Sequence, residues 1–183
     1  MTELKVKMFF AGSGGQGTLA MGQMIAKAAM DEGKEVTWLP SYGPEMRGGT
    51  ANCTVVVSDR PIACPLINEA DLLVVMNLPS LLKFEPMLSP GGLLAINSSL
   101  VSEKPKRKDI RIIEIPADGK AQELGNAKAA NIVMLGAILR EMDIVRPDTI
   151  REEMQKMFSG RKAKFLPLNN AAFDLYLKGN PDA

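Results

Sequence analysis

"FFAGSGGQGTLAMGQMIAKAAMDEGKEVTWLP", Phe9 to Pro40, decides the fold. An apolar run, Val6 to Ala11, leads into Gly12-Ser13-Gly14-Gly15-Gln16-Gly17, which fits G-x-G-x-x-G. An alanine- and methionine-rich helix is expected over Thr18 to Met30, with Gly33 as its stop. Glu35 to Leu39 follows as a second strand, halted by Pro40. Residues without Cβ let backbone N–H groups approach a phosphate at the positive end of the helix. The competing reading is a tight strand-to-helix turn that binds nothing. Strand–turn–helix is the context in which this pattern carries weight.

Outward from that unit the chain continues to alternate. Asn52–Val57, Asp71–Met76, Leu93–Ile96 and Ile110–Ile115 read as strands, with Pro90-Gly91-Gly92 as a turn. Ser80–Met87, Ala117–Leu124, Ala130–Met142, Pro147–Met157 and Asn170–Leu177 read as helices. The expectation is an α/β fold: a Rossmann-like parallel sheet, with a mixed one left open, helices on both faces and a helical C-terminal segment. Residues 1–183 suit one domain, long enough to bury about 70% of the unfolded surface. Ligands in such folds sit at the carboxyl ends of the strands, which points to the first turn and the loop after the second strand.

Composition excludes several classes. With 22 basic and 21 acidic residues the formal charge is +1, which gives no electrostatic reason to expect nucleic acid or an anionic membrane. There is no histidine, so no Ser-His-Asp or Cys-His relay and no histidine-ligated metal can be built from this chain. Two cysteines, Cys53 and Cys64, are too few for a cysteine-ligated zinc or iron–sulfur cluster, and they read as core or loop thiols. Met1 to Lys7 is a charged lead-in to a strand rather than a signal, and no apolar run reaches the ~18 residues of a membrane span. The expected location is the cytoplasm.

NAD fails a specific test. The carboxylate that grips its ribose should close the second strand, but Trp38-Leu39-Pro40-Ser41 carries none. After that strand comes Ser41-Tyr42-Gly43-Pro44-Glu45-Met46-Arg47-Gly48-Gly49-Thr50, which offers a ring, a carboxylate, a permanent cation and glycines. Either it lines a crevice beside the first turn, or it is a surface turn with Glu45 and Arg47 solvated.

"GSGGQG" after the first strand and "SYGPEMRGGTANCTVVVSD" after the second resemble the gamma subunit of 2-oxoacid:ferredoxin (acceptor) oxidoreductases. The likeness extends through "ADLLVVMN", "LSPGGLLAINSS" and "AANIVMLGAIL", so over roughly Lys5 to Leu139. It implies a non-catalytic subunit of a complex that decarboxylates a 2-oxoacid oxidatively, forms an acyl-coenzyme A and reduces ferredoxin. Thiamine diphosphate with magnesium and iron–sulfur clusters would sit on partners: alpha and beta subunits and a ferredoxin-like subunit. The resemblance assigns coenzyme A to this domain, with Gly12, Ser13, Gly14, Gly15, Gln16 and Gly17 from the first loop and Tyr42, Glu45, Arg47, Gly48 and Gly49 from the second. It leaves 2-oxoglutarate as the preferred oxoacid and the indolepyruvate enzyme as an alternative within the family. A freestanding nucleotide-binding protein is the alternative outside it.

Other features read more plainly. Asn169-Asn170 is expected to cap a helix. The 12 methionines are expected in the core and at subunit contacts, with Met21, Met24 and Met46 flanking the two loops; self-association of the isolated chain through these regions is an open outcome. Lys104-Pro105-Lys106-Arg107-Lys108 reads as a solvated loop before a strand, with an acidic partner such as ferredoxin as the alternative. Asn131 opens an apolar helix, as a cap-region residue or as a neighbour of the ligand.

Overall fold

A computed structural model describes residues 3–43 and 49–179. Six strands form one sheet: β1 Lys5–Ser13, β2 Glu35–Tyr42, β3 Thr50–Ser58, β4 Ala70–Val75, β5 Leu88–Asn97 and β6 Arg111–Ile115. The helices are α1 Thr18–Asp31, α2 Leu78–Phe84, α3 Ala117–Glu123, α4 Ala130–Glu141, α5 Pro147–Met157 and α6 Leu166–Leu177.

The sheet order is β2-β3-β1-β4-β5-β6. β1, β4, β5 and β6 run parallel, while β3 is antiparallel to both β1 and β2. The sheet is therefore mixed. A hairpin returns the chain from β2 to β3, and β3 takes the place beside β1 that the second strand would hold in an all-parallel sheet. Pro40 does not halt β2: it pairs opposite Cys53 within the strand. Because β2 is an edge strand, a residue without an N–H is tolerated there. Pro90 and Gly91 likewise lie inside β5, which passes an irregularity opposite Ala70–Leu72 before its regular pairing.

Strand alternation sends side chains to two unequal faces. Met8, Phe10, Val55, Val57, Leu72, Val74 and Ala95 meet α1, α3, α4, α5 and α6 in the larger core. Phe9, Ala11, Leu73, Val75, Leu94 and Ile96 meet Leu81 of α2, together with loop residues such as Val101 and Ile110. Met21 and Met24 are fully buried in the larger core, so they are not subunit contacts; Met46 lies outside the described residues. Asn169-Asn170 is not a capping pair. α6 begins at Leu166, and the Asn169 side chain donates to the Phe165 carbonyl at 2.8 Å from inside the helix.

Candidate functional site

The turn after β1 is braced by side chains rather than by glycine alone. Gln16 Oε1 accepts from the Ser13 N–H at 2.7 Å, and Gln16 Nε2 donates to the Met76 carbonyl at 3.0 Å. Asn77, just past the end of β4, donates to Ser13 Oγ at 2.7 Å and to Gln16 Oε1 at 3.2 Å. Its own Oδ1 accepts from the Ser80 N–H and caps α2. Gln16 is thus occupied in tying the loop to β4, and its side chain is spent on shape. α2 starts at Leu78, two residues before the helix expected from Ser80, and Asn77 is its cap. The run Asn77-Leu78-Pro79-Ser80 after an apolar strand was the available signal, a capping residue with proline in the first turn.

The glycines do different things. A Cβ at Gly12 would lie 2.7 Å from Gln16 Oε1 and 2.8 Å from Thr18 Cγ2, so this position keeps the turn tight. Gly17 has φ +75°, and a Cβ there would lie 2.6 Å from Asn131 Nδ2. Its absence lets the first turn of α4 close on the start of α1, where Asn131 Nδ2 also approaches the Gly17 carbonyl at 3.5 Å. Gly15 has φ +96° with open space beside it. Asn131 therefore adjoins the loop, as its position at the start of an apolar helix allowed.

The second loop reaches the first. The Gly14 N–H donates to the Gly49 carbonyl at 3.0 Å, and Thr18 Oγ1 donates to the Ala51 carbonyl at 3.3 Å. Tyr42, 71% exposed, stands at the end of β2 with its ring available. Glu45, Arg47 and Gly48 lie outside the described residues. Beneath the loop, the Cys53 thiol contacts the Thr18 carbonyl at 3.8 Å, and burial pushes its pKa up to about 12. It is a packing group. Cys64 is an exposed free thiol.

These residues enclose a cleft of about 300 Å³ lined by Ser13, Gly14, Gly15, Gly17, Thr18, Leu19, Ala20, Tyr42 and Ala51. The first-turn N–H groups of Thr18, Leu19 and Ala20 have no intrahelical acceptor, as at any helix start. Gly15 and Gly17 add two more donors with no acceptor among the described residues. No acidic side chain occupies the first turn of α1. The arrangement suits an anionic group at the glycines and an apolar or ring-bearing portion against Leu19, Ala20 and Tyr42. The ribose-gripping position of a dinucleotide site, beside β1, falls on Thr50-Ala51-Asn52 of β3, which carries no carboxylate.

Two larger hollows lie elsewhere. One, of about 460 Å³, is lined by Glu32, Lys34, Asp59, Asp143 and Arg146. Its charges largely satisfy one another: Lys34 pairs with Asp59 at 2.5 Å, and Glu32 accepts from the Arg146 N–H at 2.8 Å. The other, of about 510 Å³, lies beside β6. Among the described residues, no three His, Cys, Asp or Glu side chains converge as a metal site, and no helix is long and apolar enough to cross a membrane.

Fold and cleft together define a Rossmann-like domain whose glycine turn opens onto a cleft. Residues 7–178 match the family described as pyruvate ferredoxin/flavodoxin oxidoreductase, and the chain belongs to that family. It is 38% identical over 169 residues to the ketoisovalerate oxidoreductase subunit VorA of Methanothermobacter marburgensis, covering 91% of this chain and 34% of that one. The chain thus spans about a third of the length of that relative. It is 36% identical to the 2-oxoglutarate synthase subunit KorC of Methanocaldococcus jannaschii, with 85% of each chain covered. Among solved structures it matches the keto/oxoacid ferredoxin oxidoreductase gamma subunit of Geobacter sulfurreducens with a TM-score of 0.80 at 28% identity, over 94% of this chain and 96% of that one. It shares its fold with 30% of a chain of the 2-oxoglutarate:ferredoxin oxidoreductase of Magnetococcus marinus, with a TM-score of 0.86 at 23% identity. That structure carries 2-oxoglutarate, coenzyme A and succinyl-CoA.

Proposed function

We propose that this chain is the non-catalytic gamma subunit of a multi-subunit 2-oxoacid:ferredoxin oxidoreductase, and that its glycine-turn cleft receives the diphosphate of coenzyme A. The observation that carries the reading is the set of N–H groups at Gly15, Gly17 and the first turn of α1 that have no acceptor among the described residues, beside an exposed tyrosine and with no carboxylate among the described residues lining the cleft. A cleft of about 300 Å³ takes a diphosphate and an adjoining portion of the coenzyme, not the whole molecule. Arg47, on the connecting loop, would supply a cation, and Glu45 with Gly48 and Gly49 would shape the rim.

Alpha and beta subunits would hold thiamine diphosphate with magnesium, a ferredoxin-like subunit would hold iron–sulfur clusters, and ferredoxin would accept the electrons. The bound coenzyme supplies the thiol that takes the acyl group. This chain's residues bind and orient the coenzyme through backbone donors and carry no proton. The preferred oxoacid is 2-oxoglutarate, supported by a KorC relative that matches this chain along most of both lengths. The expected location is the cytoplasm.

Gly15→Ala tests the site. Its φ of +96° strains an L-residue, and the new methyl enters open space at the cleft rather than a packed neighbour. In the complex assembled with its partner subunits, the KM for coenzyme A should rise about ten-fold, the equivalent of ~1.4 kcal/mol, while the KM for 2-oxoglutarate stays within two-fold. Equal changes in both constants, or none, reject the coenzyme site. The isolated chain should show no 2-oxoacid-dependent viologen reduction, and turnover by the rigorously purified chain rejects the subunit role.

A further inference from the structure

β6 is the outer strand at the edge opposite β2, and Arg111, Ile112 and Glu114 are exposed along it. The connection from β5 to β6 contains no helix, so nothing helical covers this end of the thinner face. What remains is the hollow of about 510 Å³, lined by Lys104, Pro105, Arg107, Lys108, Ile110, Ile112 and Glu114. Ile112 is 41% exposed, an apolar residue standing on an open edge.

The basic loop is held in place. The Arg107 N–H donates to the buried Glu85 carboxylate at 2.7 Å, and its guanidinium pairs with Asp109 and donates to the Leu88 carbonyl. Asp109 in turn offers its carbonyl to the Gly91 N–H at 2.7 Å. Arg107 is therefore used up in anchoring the loop, and Arg111 pairs with Glu141. Lys104, Lys106 and Lys108 are exposed and have no ion-pair partner among the described residues. Glu114 is the one carboxylate that lines the hollow.

We propose that the open edge of β6 and the basic loop before it form a docking groove for an extended acidic segment of another polypeptide. An added strand would satisfy the outward N–H and C=O groups of β6. Every second side chain of such a strand faces the hollow, so carboxylates at one end of that series meet Lys104 and Lys108 while an apolar residue further along it covers Ile112. Lysines near an edge also serve to repel unwanted strands. The exposed isoleucine at the centre of this edge, beside these lysines, gives an added acidic strand an apolar contact as well as a charged one. The proposal is independent of the coenzyme site, which lies at the far side of β1.

The probe is a fluorescein-labelled peptide of sequence Glu-Thr-Glu-Thr-Val-Thr-Val-Thr, which sets carboxylates and valines on one face, titrated against the full chain by anisotropy. At low salt it should bind saturably. High salt should weaken it about ten-fold or more, and so should the triple change Lys104→Glu, Lys106→Glu and Lys108→Glu. Ile112→Asp, which leaves the lysines in place, should also weaken it, and circular dichroism checks that each variant is folded. Hydrogen exchange should show new protection at 111–115. The proposal is overturned by no binding to the unaltered chain, by equal binding of the peptide with lysine for glutamate, by an unaffected triple variant, or by protection that maps elsewhere. Those outcomes would leave the lysines as guards of the edge.

Discussion

The two faces of the sheet are built to different depths. One carries five helices and the larger core, with α4 and α6 packed closely enough that Gly136 sits against the backbone of Phe173. The other carries the seven-residue α2, some loop side chains and a helix-free stretch before β6. The cleft lies at the carboxyl edge, where Asn77 serves both: it caps α2 and braces the turn that starts α1. The thick face reaches the glycine turn through Asn131 of α4, and the thin face through Asn77. The thin face leaves strand and side-chain groups open to a partner. Stability and accessibility are therefore separated in space.

Gly136→Ala attacks the thick face most directly. Its Cβ would lie 2.1 Å from the Phe173 carbonyl oxygen, a backbone atom that can move only if α6 moves. The expected cost is about 3 kcal/mol, lowering Tm by roughly 6–12 °C in a thermal melt. A loss under about 1 kcal/mol would mean that α6 slides freely on α4 and that the thick face is not close-packed.

Leu81→Ala is the counterpart on the thin face. Leu81 is 1% exposed, but its layer is shallow and can collapse, so about 2 kcal/mol is expected, at the low end for a buried leucine. Denaturant titration of the two variants side by side sharpens the comparison. Should Leu81→Ala cost more than Gly136→Ala, the faces do not differ in the way described.

Gly17→Ala combines a positive φ with the Asn131 contact, and about 1–2 kcal/mol is expected. The double change Gly17→Ala with Asn131→Ala should recover part of the steric share and leave the backbone share, because the Asn131 Cβ stays 2.9 Å from the new methyl. Full additivity would show that α4 does not press on the turn.

The smallest effect is electrostatic and lies at the amino edge. Lys34 and the Leu4 N–H hold the Asp59 carboxyl below the usual carboxylate range, and Lys156 does the same for Asp31. A depressed folded pKa stabilises above the unfolded value, near 4, and the contribution disappears as pH falls through the lower folded value. The Tm difference between the unaltered chain and Asp59→Asn should therefore shrink on acidification below about pH 4. A difference that is constant with pH assigns the pair no titrating role.

Much of this was legible in residues alone. The apolar run into Gly12–Gly17 predicted β1, the turn and α1 because strand burial, positive-φ glycines and helix periodicity all act locally. Pro147–Met157 is helical over the stretch its pattern predicted, since proline at the first position and a Met/Ile stripe are again local signals. Less legible was the role of each loop residue. Gln16 and Ser13 look alike as polar members of a glycine loop, and only the arrival of Asn77 and Met76 from β4 shows that they brace the turn.

The sequence by itself determined the α/β alternation, the glycine turn at the end of β1 and the absence of histidine chemistry, because these depend on residue identity and short-range backbone preference. Tertiary structure alone decided that β3 inserts antiparallel beside β1, that Pro40 rides in an edge strand, that Met21 and Met24 turn inward and that Asn131 closes on Gly17. Each of those outcomes joins segments far apart in the chain. Which strand pairs with which, and which helix covers which face, is settled by the burial of whole surfaces at once, and no short stretch of residues encodes it.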